Sequence, residues 1–231
     1  MHMKAICLLS TGFDSPVAIS LMEKKGVNVI GIYFDNTPYI ASSTKEANKN
    51  NILKKESEAV QLISQQLVNS FKKQTNFYLY ILPHGKDLAK IISIQNKKRF
   101  TCVLCKRLML KKAERLAKFE KANLIVTGDI LGEQASQTSQ NLTVISEALN
   151  QKTLVRPNIG LNKEEIMNIG KEIGTSKYSE NASRFACTAV PAKPVTVIPR
   201  KKVFQIENLL PIEKMVEESF VDREKMVFTK R

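Results

Sequence analysis

Two textures alternate along the chain. Short, nearly unbroken apolar runs stand at KAICLL (4–9), VNVIGIYF (27–34), FYLYIL (77–82), NLIVT (123–127) and TLV (153–155). Runs with no polar face predict strands covered on both sides, as in a parallel sheet. Between them the apolar residues recur at helical spacing, predicting helices over about 16–25, 45–73, 86–94, 103–120, 136–149 and 162–173. The last has Asn162 as N-cap, Glu165 three residues on and Gly174 as its stop. The alternation predicts an α/β fold: a doubly wound, mainly parallel five-stranded sheet with helices on both faces and right-handed crossovers. In such folds ligands bind at the carboxyl ends of the strands, where strand order reverses.

The helix over 103–120 carries two stripes. Cys105, Met109, Ala113 and Leu116 share one face, expected toward the core and the site. Arg107, Lys111, Arg115 and Lys118 share the other, expected to lie along a phosphate backbone. From Val190 the texture changes: VPAKPVTVIPRKK carries three prolines and leads into LPIEKMVEESF, read as one helix. The expected division is a sheet domain over 1–196 and a C-terminal extension over 197–231, packed on the sheet or mobile.

Composition narrows the class. With 231 residues, 43% of them hydrophobic, the chain can bury a substantial core. No stretch approaches the ~18 apolar residues of a membrane span, and AICLL is too short for a signal-peptide core. A soluble, cytoplasmic protein with no membrane partner is the expectation. The formal charge is +14, and between Lys97 and Lys121 ten basic residues face two acidic ones. That concentration suits a polyanion such as RNA, with a lysine-rich solubilising face as the plain alternative. The four cysteines, at 7, 102, 105 and 187, are too few and too unevenly spaced for a secreted disulfide scaffold. Cys7, inside the first strand, reads as a small buried apolar residue. His84, in ILPHG, reads as a turn residue.

LLSTGFDSP (8–16) runs from the first strand into the first helix, with Pro16 suited to the first helical turn. Backbone N–H groups, the Ser10 and Ser15 hydroxyls and the positive end of the helix converge there, which suits an anion. A Ser-capped turn is the simpler alternative. A Walker loop is excluded because no GK[ST] follows.

STGFDS resembles the SGGxDS signature of the PP-loop ATP pyrophosphatases, which have an adenine nucleotide alpha hydrolase-like fold. Thr11 stands where that signature has glycine. The motifs CKRLMLKKAERLA, VTGDILGEQASQT, LVRPNIGLNKEEIMNIGKEIGT and FACTAVPAKP follow in the order and spacing of the tRNA 4-thiouridine synthetases, the ThiI family. The resemblance spans residues 5 to about 196. It implies an enzyme that splits ATP to AMP and pyrophosphate, adenylates uridine in tRNA and replaces oxygen with sulfur, with Mg²⁺ as cofactor. ATP-binding residues carried over by the resemblance are Leu8, Leu9, Ser10, Gly12, Asp14, Ser15, Tyr33, Phe34, Lys106, Gly128 and Gln137. Lys106 stands where the bacterial pattern has arginine, which keeps a charge and loses a bidentate fork. Arg156 is expected either against the phosphates or in a structural salt bridge. Asp14 is expected to hold the metal or order the loop.

Cys187 falls on the family's catalytic cysteine. Cys102 and Cys105 form a CxxC immediately before the basic helix, a spacing that can chelate one metal or a cluster edge. Some archaeal members of the family look alike, so the resemblance implies that Cys102, Cys105 and Cys187 hold a [4Fe-4S] or [3Fe-4S] cluster. Structural zinc, a redox disulfide and cluster-free thiol chemistry use the same residues. The family's THUMP region and rhodanese domain have no counterpart in these 231 residues. A separate RNA-docking protein, or the basic helix and tail, is therefore expected to dock the tRNA or other RNA, and a sulfide or persulfide carrier to donate sulfur. A PP-loop ligase or thiolase for a small molecule and a non-catalytic nucleotide or iron–sulfur binding module are the alternative readings.

Overall fold

The computed structural model describes residues 3–42, 49–94, 98–183 and 185–231. Its elements are β1 (Lys4–Leu9), α1 (Asp14–Lys24), β2 (Asn28–Asp35), β3 (Ile40–Ser42), α2 (Lys49–Ser70), β4 (Asn76–Pro83), α3 (Gly85–Ser93), α4 (Thr101–Phe119) and β5 (Leu124–Val126). There follow α5 (Ser139–Ser146), β6 (Thr153–Val155), α6 (Lys163–Glu172), α7 (Ser176–Ala182), β7 (Phe185–Cys187), α8 (Arg200–Glu207), α9 (Ile212–Val221) and β8 (Glu224–Thr229).

The sheet runs β6-β5-β1-β2-β4-β8. All five expected strands are present and mutually parallel. From β1 the chain steps outward through β2 and β4, then returns to the other side of β1 for β5 and β6. The reversal therefore falls between β1 and β5, and the loops after these two strands meet there.

Period-two alternation splits β1 between two cores. Ile6 joins Ile30, Ile32 and the buried faces of α4, α8 and α9 on one side. Ala5, Cys7 and Leu9 join α1, α2 and α6 on the other. Cys7 is fully buried, as its setting in an apolar strand implies. The α6 capping box forms, Asn162 accepting from the Glu165 N–H at 3.0 Å and Glu165 accepting from the Asn162 N–H at 2.7 Å. Gly174, at φ +75°, follows the helix end.

Several features differ from the sequence expectation. A sixth strand, β8, pairs antiparallel with β4 and closes that edge, with Phe228 opposite Phe77. Its three apolar residues, Met226, Val227 and Phe228, are consecutive and too few to mark a strand by pattern, so its strand character emerges once β4 offers an edge. The extension is packed: Val203, Ile206, Met215 and Phe220 belong to the same apolar cluster as Ile6. The helix expected over 45–73 is described as α2; positions 45–48 lie outside the described residues. The segment 136–149 divides into a 3₁₀ turn over Ala135–Gln137 and α5, whose N-cap Thr138 accepts from the Asn141 N–H. The CxxC lies inside the first turn of α4 rather than ahead of it. β3 and β7 form a separate antiparallel ribbon in which Ile40 faces Cys187. Among the described residues no helix is long and apolar enough to cross a membrane.

Candidate functional site

The loop after β1 is built from its own serines. The Ser10 N–H donates to Ser15 Oγ at 2.8 Å, and the two hydroxyl oxygens lie 3.0 Å apart. The Gly12 N–H donates to Ser10 Oγ at 3.3 Å. Asn158 Nδ2 donates to the Asp14 carbonyl at 2.7 Å and Ser179 Oγ to the Gly12 carbonyl at 3.3 Å, so later segments brace the loop. Phe13, the residue before α1, provides no side-chain cap, which leaves the first-turn N–H groups without that partner. Gly128, after β5, touches the loop from across the strand reversal. A Cβ there would stand 2.8 Å from the Ser15 nitrogen. Gly128 is therefore small because of the loop itself, before any ligand is considered.

A cavity of about 280 Å³ opens at this point. Its wall includes Leu8, Leu9, Ser10, Asp14, Ser15, Tyr33, Phe34, Lys106, Gly128 and Gln137, ten of the residues that sequence reading assigned to nucleotide. Gly12 sits in the loop but does not line the cavity. Asp129, which sequence reading passed over, organises the floor. Lys106 Nζ reaches it at 2.8 Å, Thr127 Oγ1 at 2.8 Å and Arg156 Nε at 3.2 Å. Burial alone would raise the Asp129 pKa, but Lys106, Thr127 and Arg156 outweigh it and hold the group at about 2. Arg156 is thus a structural partner of a carboxylate that also orients Lys106. Asp14 has no such company. Burial, then the charges of Glu133 and Asp129, push it up to about 6 against the pull of Lys106 and Lys163.

The other wall has the character expected for a base-binding end. Tyr33 and Phe34, from the end of β2, line it beside Asn36 and Glu56. The Tyr33 hydroxyl donates to Glu56, whose pKa burial raises while this bond opposes the rise. Asn36 Oδ1 and Gln137 Oε1 are buried without hydrogen-bond partners, and both residues line the cavity. Buried polar atoms are seldom left so. Two orphaned acceptors lining one cavity fit a polar ligand with donors to offer, as an adenine nucleotide has. Glu56 lies midway along α2, where its spacing does not distinguish it from Glu58; Asp129 had a usable signal, a carboxylate directly after the strand-end glycine.

The four cysteines are free thiols. Burial raises the pKa of Cys102, and the charge of Cys187 adds to it. Cys105 is pushed up to about 12 by burial, then by Cys187 and Cys102. Burial also raises Cys187, with Glu56 adding and the Ala189 and Val190 backbone opposing. The three later thiols therefore lie within electrostatic reach of one another, beside the cavity that Lys106 and Glu56 line. An all-thiol set suits iron–sulfur binding in donor chemistry. Among the described residues, no three His, Cys, Asp or Glu side chains stand in a metal-holding arrangement. Such a group would require these thiols to draw together.

The basic stripe needs correction. Arg107 is fully buried and cannot meet RNA. Its Nε donates to Glu207 Oε1 at 2.8 Å and its Nη2 to Glu207 Oε2 at 2.7 Å, with Nη1 donating to the Val144 carbonyl. Arg115 Nε donates to Glu217 at 2.6 Å and stacks 3.7 Å over the Phe220 ring. The reason is the extension: α8 and α9 cover part of the face of α4 expected to lie along a phosphate backbone. Lys111 is half-buried at their groove, and Lys118 is exposed. His84 is also more than a turn residue, being 1% exposed and 3.2 Å from the Cys105 sulfur.

A family model described as "Thiamine biosynthesis protein (ThiI)" matches residues 1–212. The chain belongs to the ThiI family. A relative from Methanosarcina mazei, a probable tRNA sulfurtransferase, is 35% identical over 216 residues, covering 94% of this chain and 49% of the relative. Another probable tRNA sulfurtransferase, from Methanocaldococcus jannaschii, is 36% identical over 211 residues, covering 89% and 49%. The chain spans about half the length of these curated relatives. Among solved structures, a 4-thiouridine synthetase in complex with RNA and bound ATP matches with a TM-score of 0.85 at 28% identity, over 97% of this chain and 55% of that one. The NMN synthetase of Francisella tularensis matches at a TM-score of 0.52 and 13% identity, a likeness of fold alone.

Proposed function

We propose that this ThiI-family chain binds ATP in the cavity between β1 and β5, adenylates uridine in tRNA and replaces the C4 oxygen with sulfur, forming 4-thiouridine. One observation carries the reading. Lys106 lines the nucleotide cavity from the start of α4, directly after Cys105 and four residues after Cys102, so one helix end carries both the cation and two of the thiols.

In the first step the uridine C4 oxygen attacks the α-phosphorus, and the bond to pyrophosphate breaks. The N–H groups of the Ser10–Ser15 loop and the Lys106 ammonium stabilise charge on the phosphates; losing one such donor typically costs about 3 kcal/mol. Lys106 is held by Asp129 at 2.8 Å, so its charge is oriented before ATP arrives. In the second step a sulfur nucleophile forms a bond to C4 and AMP leaves with the oxygen. Cys187 is the thiol assigned to accept or deliver that sulfur. Asp14 is assigned to hold Mg²⁺, which when bound would add charge neutralisation at the phosphates, or to order the loop. Cys102, Cys105 and Cys187 are assigned to a [4Fe-4S] or [3Fe-4S] cluster; three thiolates would leave one iron of the [4Fe-4S] form open to inorganic sulfide, whereas they would ligate every iron of the [3Fe-4S] form. Lys111 and Lys118 remain assigned to the RNA backbone, and a sulfide or persulfide carrier to sulfur supply.

The test is turnover with an unmodified tRNA transcript, ATP, Mg²⁺ and sulfide under argon. AMP, pyrophosphate and 4-thiouridine in equal amounts are expected. Pyrophosphate release indifferent to tRNA would instead indicate a small-molecule acceptor. Iron and sulfide analysis after anaerobic purification tests the cluster: iron in the wild type and its loss in Cys102→Ala are expected, and an iron-free wild type overturns the assignment.

A further inference from the structure

A chain of buried polar groups runs from α9 to the thiols. Lys112, fully buried on α4, places Nζ 2.7 Å from Asp87 Oδ2, 2.9 Å from His84 Nδ1 and 3.1 Å from the Pro83 carbonyl. Ser219 Oγ of α9 lies 2.9 Å from the same carbonyl and 3.2 Å from Asp87, and Lys90 reaches Asp87 at 3.6 Å. At the far end His84 Nε2 stands 3.2 Å from Cys105 Sγ.

The direction of these bonds follows from counting donors. An ammonium has three N–H donors and no acceptor. Lys112, paired with the Asp87 carboxylate, spends its three on Asp87, the Pro83 carbonyl and His84 Nδ1. Nδ1 must therefore accept, and a neutral imidazole that accepts at Nδ1 carries its proton on Nε2. That N–H faces the sulfur. The ring is also fixed in place. The His84 N–H donates to the Asp35 carbonyl at 2.8 Å, Phe34 packs edge-on with ring centroids 5.5 Å apart, and a Cβ on Gly85 would overlap the Thr37 carbonyl at 1.6 Å.

We propose that His84 is a positioning residue for the sulfur chemistry: Lys112 locks it as the Nε2–H tautomer, and it donates a hydrogen bond to the Cys105 sulfur. The donor favours an electron-rich sulfur at position 105, whether thiolate, persulfide or metal-bound. It also occupies one direction of approach to that sulfur. A buried lysine and an aspartate 25 positions away thereby act on a cysteine that neither touches. The consequence for turnover rests on the sulfur-transfer reading above, whereas the tautomer does not.

The chain has only two histidines, His2 and His84, so ¹⁵N-histidine labelling of the whole protein gives a spectrum that a His2→Gln variant assigns. Long-range ¹H–¹⁵N correlation, with neither ATP nor tRNA present, is expected to report His84 protonated on Nε2 alone. Protonation on Nδ1, or on both nitrogens, overturns the proposal. Turnover supplies the second readout. His84→Gln keeps an N–H near the Nε2 position and is expected to retain sulfur transfer within about threefold; His84→Leu, of similar bulk without a donor, is expected to lose about tenfold or more. Equal activity in the two variants, with thermal melting showing both folded, also overturns it. A wild type with the expected tautomer but no thiolation of tRNA would refute the proposed function and leave the hydrogen bond standing.

Discussion

Gly128 and Asp14 face each other across the strand reversal, and each carries a prediction. Gly128→Ala would press a methyl into the Ser15 nitrogen, an intrusion of the kind that typically costs about 1–3 kcal/mol unless backbone shifts. The shift available is movement of the phosphate loop, so calorimetric titration is expected to show ATP affinity reduced at least tenfold, beside a lower denaturation midpoint. Asp14, whose pKa burial raises to about 6 in the folded chain, binds its proton more tightly there than when unfolded. Stability therefore falls as pH rises from about 4 to about 6 and stays reduced above that. Asp14→Asn removes the penalty: the ligand-free variant is expected to gain about 1 kcal/mol at pH 7.5, after allowance for solvent screening, and nothing near pH 4. Denaturant curves at the two pH values check the sign. Serines flanking a strand-to-helix turn made this site legible in sequence. Glu56 was not legible, because its role comes from where α2 passes Tyr33.

At the scale of elements, α4 has more neighbours than its periodicity reveals. Its apolar stripe faces the sheet as expected, with Leu116 and Ala113 fully buried. Its opposite stripe is recruited by the extension through the Arg107–Glu207 pair. Removing one member of such a pair leaves a buried charge alone and costs about 3–5 kcal/mol, whereas replacing both with apolar groups is often near neutral. Glu207→Ala is therefore expected to destabilise strongly, and Arg107→Met with Glu207→Met to recover most of that stability, measured by urea unfolding. RNA affinity should not follow these changes. A Lys111→Gln, Lys118→Gln variant is instead expected to flatten the salt dependence of RNA binding, its log–log slope falling by about 0.7–0.9 for each phosphate no longer neutralised. Periodicity located both stripes correctly; only packing separates a solvated stripe from a second interface, since charged residues satisfy either once carboxylates are supplied.

For the molecule as a whole, the C-terminal residues complete both the sheet and the buried polar chain. β8 covers the β4 edge, and Ser219 of α9 meets Asp87 and Pro83. Truncation after Val221 exposes an unpaired edge strand, which templates association. The truncated chain is expected to be less stable and to self-associate, seen as a rising mass in light scattering with concentration. Local periodicity was enough for the parallel α/β core, and the strand-to-helix motif for the loop at its ligand-binding end; the residues of the cavity wall came from the resemblance to the ThiI family, and the strand order that sets the reversal from the structure. Packing in three dimensions was needed to choose which cations face solvent, which carboxylate orients Lys106, and how Asp87, Lys112 and His84 reach Cys105. Those contacts join residues 21 to 100 positions apart, and the desolvation that gives a buried charge its pairing and its direction exists only after the chain has packed.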